Sequence, residues 1–218
     1  MHTREAVVLT KNSPSTAPKN TIRGNTKTTR ENWLKEAQKV LIEEGVEHVK
    51  VGRLAKNLAV TRGGFYWFFK TRQDILDTIL TNWMDSKNDP LTRIINDKND
   101  TPLDPLIRFF SIVVHEQSYS PALDSAIRDW ARTSSATRDA VDLVDDRRIK
   151  ALTEVFLSLA YEQKEAFIRA RILYYHQIGY YAMDVHETKK QRLNYLPVYF
   201  KQLTGFELPN EALQKFKR

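Results

Sequence analysis

Apolar positions recur at helical spacing along nearly the whole chain beyond residue 28. Trp33, Ala37, Val40 and Leu41 fall at i, i+4, i+7 and i+8, one face of a first helix. Thr28 followed three residues later by Glu31 fits a capping box at its start, and Gly45 ends it. A second helix is predicted from Val51 with Leu54, Ala55 and Leu58 inward, although Lys50 offers no acceptor oxygen as a cap. A turn around Leu58 to Val60 leads to Thr61, a good cap for a third helix. Phe65, Phe68 and Phe69 then fit an inward face, with Tyr66 and Trp67 on its flank. Thr71 with Asp74 resembles another capping box, so a fourth helix starts at Arg72 and turns Ile75, Leu76, Ile79, Leu80 and Trp83 inward.

Beyond it, Asn88 to Pro105 reads as loop. Leu106, Ile107, Phe110, Val113 and Val114 then mark a fifth helix. Ser120-Pro121 suits the start of a sixth that carries Ile127 and Trp130. Val141, Val144, Leu152, Val155 and Phe156 mark a long seventh, with an eighth over 164–186 and a ninth over 192–203. No strand-like alternation competes, so the fold class is all-α.

Charge divides the chain more sharply than hydropathy does. Residues 1–30 carry Arg4, Lys11, Lys19, Arg23, Lys27 and Arg30 against Glu5 alone, and residues 31–72 carry eight Lys/Arg against five Glu. The whole chain is only +7, so the surplus lies in its first third. A basic module on a near-neutral body points to a polyanion, nucleic acid before an acidic membrane surface. The resulting domain reading is a disordered basic arm over 1–27, a helix-turn-helix DNA-binding domain over 28–72, a connector helix over 72–87 and a helical body over 88–218. The absence of cysteine removes disulfides and thiolate metal sites and suits a reducing compartment. The longest uncharged apolar run, Ile172 to Met183, is too short to span a bilayer. A cytoplasmic, nucleoid-associated protein without cofactor or metal is expected.

The third helix concentrates the candidate chemistry. Gly63 and Gly64 each cost about 1 kcal/mol relative to Ala within a helix. Close approach to a groove wall would justify that cost, as would tight packing on the second helix. Arg62 is the candidate for a base edge, since a guanidinium bonds bidentately to guanine. Tyr66, Trp67, Lys70 and Arg72 suit phosphates, which position a helix without reading sequence. Catalytic patterns are missing: His115-Glu116 lacks the second His of a zinc-protease helix, and no phosphate loop or nucleophile elbow occurs. Asp145-Asp146 beside Arg147-Arg148 reads as a solvated charge run or an inter-helix ion pair.

Residues 60–76, VTRGGFYWFFKTRQDIL, resemble the recognition helix, linking turn and fourth-helix start of the TetR family of bacterial transcriptional regulators, within a likeness running from about Arg30 to Trp83. AIRDWAR (126–132) and VDDRR (144–148) resemble segments of other members. The resemblance implies about nine helices, three for DNA and the rest for ligand binding and dimerisation. It puts Thr61, Arg62, Gly63, Tyr66, Trp67 and Lys70 at DNA-contacting positions. Phe68 stands where the family often has His, and Lys50 where it usually has Thr or Ser; Lys50 keeps a phosphate contact as a point charge. By the same resemblance, Trp130, Tyr174, His176 and Tyr180 are candidates for a ligand pocket. Phe167, Ile168, Tyr175, Ile178, Tyr181, Leu193, Leu196 and Phe200 are candidates for a dimer interface. The implied function is a dimeric repressor released from a palindromic operator by a small molecule. The alternative is a helical interaction protein whose basic N-terminus binds nucleic acid or membrane non-specifically.

Overall fold

The protein is described by a computed structural model that covers residues 28–85, 87, 89–93, 97, 100–115 and 119–217. The basic arm over 1–27 and Glu116 lie outside the described residues. Among those described, eleven α-helices and one 3-10 turn occur and no strand does. The helices run α1 (Arg30–Glu44), α2 (Val51–Asn57), α3 (Arg62–Tyr66), α4 (Arg72–Met84), α5 (Pro90–Arg93) and α6 (Asp104–His115). They continue as α7 (Pro121–Trp130), α8 (Ser135–Ser158), α9 (Gln163–Ala182), α10 (Lys189–Thr204) and α11 (Asn210–Phe216). The count exceeds nine because α5 and α11 are too short to show a period. The 3-10 turn, Val46–His48, fills the link from α1 to α2.

The local signals act where the residue types place them, with one shift. The capping box of α1 is set one residue later than Thr28: Thr29 Oγ1 accepts from Asn32 N at 3.2 Å, and Asn32 Oδ1 accepts from Thr29 N at 3.0 Å. Glu31 is left to pair with Lys35 on the exposed face. Gly45 has φ +86°, a region a side chain would strain, and its N–H closes the helix on Leu41 O. Lys50 caps nothing with its side chain, as expected. Thr71 accepts from Asp74 N, and Ser120 accepts from Leu123 N with Pro121 in the first turn of α7.

Two apolar cores result. The first gathers Trp33, Leu41, Leu54, Phe65, Phe69 and Ile75, with the Phe65 ring edge-on to Trp33 at 5.3 Å. It also takes Ile127 and Trp130 from α7, so the connector helix is not its boundary. The second core lies among α6, α8, α9 and α10, and Phe216 of α11 closes it. Phe68 departs from its expected inward position and is 38% exposed. The helical period that placed it inward ends with α3 at Tyr66, and the following turn carries Phe68 outward.

Candidate functional site

The short α3 is held from beneath and open above. Phe65 and Phe69 are buried, while Tyr66 is 60% and Trp67 86% exposed. Thr61, Arg62, Gly63 and Lys70 share that exposure, and the Thr61 hydroxyl makes no capping bond. The packing explanation for the paired glycines finds little support. A Cβ on Gly63 would meet only Thr61 Oγ1 at 3.7 Å, and one on Gly64 would rest at ordinary contact, 3.8 Å, from Trp33. The steric demand falls instead on Gly52 of α2, a residue the sequence reading passed over. A Cβ there would lie 2.9 Å from Arg62 Nη2, because the Arg62 guanidinium lies across Gly52. Beside it, a shallow recess is lined by His48, Lys50, Gly52, Arg53, Lys56 and Asn57. The cationic face of α2 therefore continues into α3.

Arg72 is employed differently from the phosphate contact assigned to it. Its Nε donates to Val49 O at 2.6 Å and its Nη2 to Val46 O, so the half-buried guanidinium ties α4 to the link before α2. Those carbonyls lie beyond the reach of sequence spacing.

Where α4 meets the body lies a buried ionic network. Trp83 Nε1 donates to Asp124 Oδ1 at 3.2 Å. Asp124 also accepts from Arg148 Nη1 at 2.8 Å and from Arg128 Nε at 2.7 Å. Arg148, 3% exposed, reaches Asp89 Oδ2 at 3.0 Å. Arg128 grips Asp145 with both terminal nitrogens at 2.9 and 2.7 Å. Of the two readings for the Asp145 region, the inter-helix ion pair holds. Burial alone would raise the Asp124 carboxyl, but the Arg148 and Arg128 charges outweigh it and hold that group below its usual range.

The pocket candidates divide between three environments. Trp130 belongs to the first core and borders an open cleft of about 770 Å³ with Leu41, Ala126, Thr133 and Tyr181, whereas Tyr174 is buried with its hydroxyl donating to Asp145 Oδ1 at 2.7 Å. His176 and Tyr180 do line one, a narrow space of about 50 Å³ walled by Phe110, Val114, Leu173 and Leu196. Gln177, which was not among the candidates, is on the same wall. His176 and Tyr199 are shared with an open groove of about 410 Å³ alongside Tyr195 and Val198. Burial pushes the His176 imidazole below its ordinary value. Burial and the hydrogen bond to Glu187 push the Tyr180 phenol up to about 12.

The interface candidates divide too. Leu196 and Phe200 are buried in the second core, and Ile178, Tyr181 and Leu193 pack against it. Phe167, Ile168 and Tyr175 are exposed on α9 together with Ile172, and Tyr195, Val198 and Tyr199 extend the apolar surface onto α10. No helix among the described residues is long and apolar enough to cross a membrane, and no cluster of metal-ligating side chains occurs there.

An all-helical chain with a short, exposed aromatic and cationic third helix, held by two others, has the architecture of a helix-turn-helix protein with a helical body. Residues 34–79 match the family model of the bacterial regulatory proteins, tetR family. Residues 34–79 thus carry a DNA-binding domain of the tetR type, and the chain shares its overall fold with regulators of that family. It is 31% identical over 87 residues to the HTH-type transcriptional regulator AcrR of Shigella flexneri, a match covering 40% of this chain and 39% of that protein's length. In fold it is similar to the ketosteroid transcriptional regulator KstR2 of Mycobacterium tuberculosis, with TM-score 0.63 at 18% identity over 84% of this chain and 97% of that one. A TetR-family regulator from Marinobacter aquaeolei gives 0.62 at 14% identity over 87% and 96%.

Proposed function

We propose that the protein is a dimeric, sequence-specific DNA-binding regulator that represses by occupying a palindromic operator and leaves it when a small molecule binds the body. The observation that carries this reading is the surface of α3: two large aromatics stand in solvent beside Arg62 and Lys70 above a fully packed Phe65 and Phe69. Their apolar area would go unrewarded on an idle surface, whereas sugar and phosphate groups would meet both the rings and the cations. Arg62 reads a base edge, Tyr66, Trp67, Lys70 and Lys50 hold the backbone, and Thr61 and Gly63 let the helix approach closely. Arg72 contributes by fixing the start of α4.

The exposed apolar residues of α9, Phe167, Ile168, Ile172 and Tyr175, favour a second copy as partner, since a two-fold pair presents two recognition helices to successive turns of one groove. No catalysis is assigned to the chain. Selection from random duplexes, followed by footprinting, tests the reading. An enriched inverted repeat protected on one face is the expected result. Retention of all sequences alike would replace this reading with non-specific binding through the basic N-terminus.

A further inference from the structure

The cavity between α6, α9 and α10 has one polar group whose position has no internal use. Gln177 is 2% exposed, and its amide Nε2 has no hydrogen-bond partner in the protein. A buried amide left in that condition forfeits its hydration without replacement, a cost that selection for stability alone would remove by placing an apolar residue there. The neighbouring polar groups do not relieve it. Tyr180 spends its hydroxyl on Glu187 Oε2 at 3.0 Å, and the depressed His176 stays neutral near pH 7. Glu187 and Arg192 also line the cavity, and the rest of its wall, including Phe109, Val113, Leu173 and Leu196, is mainly hydrocarbon.

We infer that this cavity is an effector site for a mainly hydrocarbon molecule bearing a carbonyl or carboxylate oxygen, which accepts a hydrogen bond from Gln177 Nε2. The assignment rests on the regulator reading above. An acceptor is required because the unmet group is an N–H, and an ammonium ligand would present a second donor to it. The enclosed space of about 50 Å³ holds little more than the polar head, so the hydrocarbon tail runs past His176 and Tyr199 into the adjoining groove. Those two rings stand 5.1 Å apart and part on entry. Tyr174 lies one helical turn before Gln177 on α9, which places the head of the ligand beside the ionic network that ends on Trp83.

Hexanoate, hexanamide and hexylammonium, titrated calorimetrically into the full chain, share one tail and differ at the head. An acceptor-bearing probe should bind while hexylammonium does not, and the stronger of the first two states whether the natural head is charged or neutral. Gln177→Met, similar in length, should weaken that probe at least tenfold, and Gln177→Glu should turn the preference toward hexylammonium. Equal binding of all three probes, binding of none, or unchanged affinity in Gln177→Met would overturn the assignment. Operator selection by the unliganded protein is run in parallel. Failure of that selection sinks the regulator reading, whereas site selection without probe discrimination sinks the Gln177 site alone.

Discussion

The indole N–H of Trp83 donates to Asp124 Oδ1 at 3.2 Å, so the helix that begins beside the recognition element ends on a carboxylate of the body. Asp124 is also held by Arg148 and Arg128, and both guanidinium groups contact the Tyr174 hydroxyl on α9. A displacement of α9 thus has a continuous polar route to α4. If the route carries the signal, Trp83→Phe should leave operator affinity of the free protein near the wild-type value. It should also reduce the shift in that affinity caused by a bound effector, measured as the ratio of dissociation constants with and without it. An undiminished ratio would remove Trp83 from the coupling.

Arg148 is the member whose loss costs most stability. It is buried against Asp89 and Asp124, so Arg148→Met would leave two buried carboxylates short of their counter-charge. Destabilisation of about 3–5 kcal/mol is expected in denaturant titration. A loss under 1 kcal/mol would mean that water reaches the site and the pair contributes little.

Arg72 and Lys70 separate a structural cation from one that meets DNA. Lys70→Ala should flatten the dependence of log affinity on log salt by roughly one unit, with little change in melting temperature. Arg72→Met should do the reverse. It costs about 1.5–3 kcal/mol through the lost bonds to Val46 and Val49 and leaves the salt slope intact.

Gly52→Ala should raise stability by roughly 0.5–1 kcal/mol, because alanine orders more cheaply within a helix. The new Cβ would push aside the Arg62 guanidinium now 2.9 Å away. Site preference measured by selection should therefore relax at the position Arg62 reads. Unchanged preference would place Arg62 elsewhere in the complex.

Acid should act in two stages. Burial sets the His176 imidazole below its ordinary 6.5, so the unfolded chain takes up that proton first and stability falls as pH drops below about 6.5. His115 is lowered as well, by burial and by the Lys189 and Arg192 charges, and adds to the same limb. Asp124 is held below its ordinary 3.8; its contribution is complete above that value and is lost as pH falls through the lower folded one. Melting temperatures from pH 8 to 3 should show both limbs, and His176→Asn should flatten only the upper one.

What the sequence revealed depended on whether a signal was local. Helix starts at Arg72 and Pro121 were legible because Thr71 and Ser120 act on amides three residues away. Phe68 misled because a spacing argument presumes that the helix continues, and α3 stops two residues earlier. Arg72, Tyr174 and Arg148 were opaque for another reason. Their partners lie 23 to 59 residues distant along the chain, and no spacing rule links them. Gln177 was missed because an amide within an apolar stretch gives no sign of whether its hydrogen bonds are met.

Ile127 and Trp130, carried by α7, belong to the same core as Trp33, and α7 packs on α1. The reading head is therefore not a cartridge that can be unplugged after the connector helix. A chimera joined near residue 88 would inherit a hole where those two side chains belong, and its new sensor would have to fill that hole before it could signal. Exchange of sensors within such an architecture is constrained first by fit against α1, and only then by what the sensor binds.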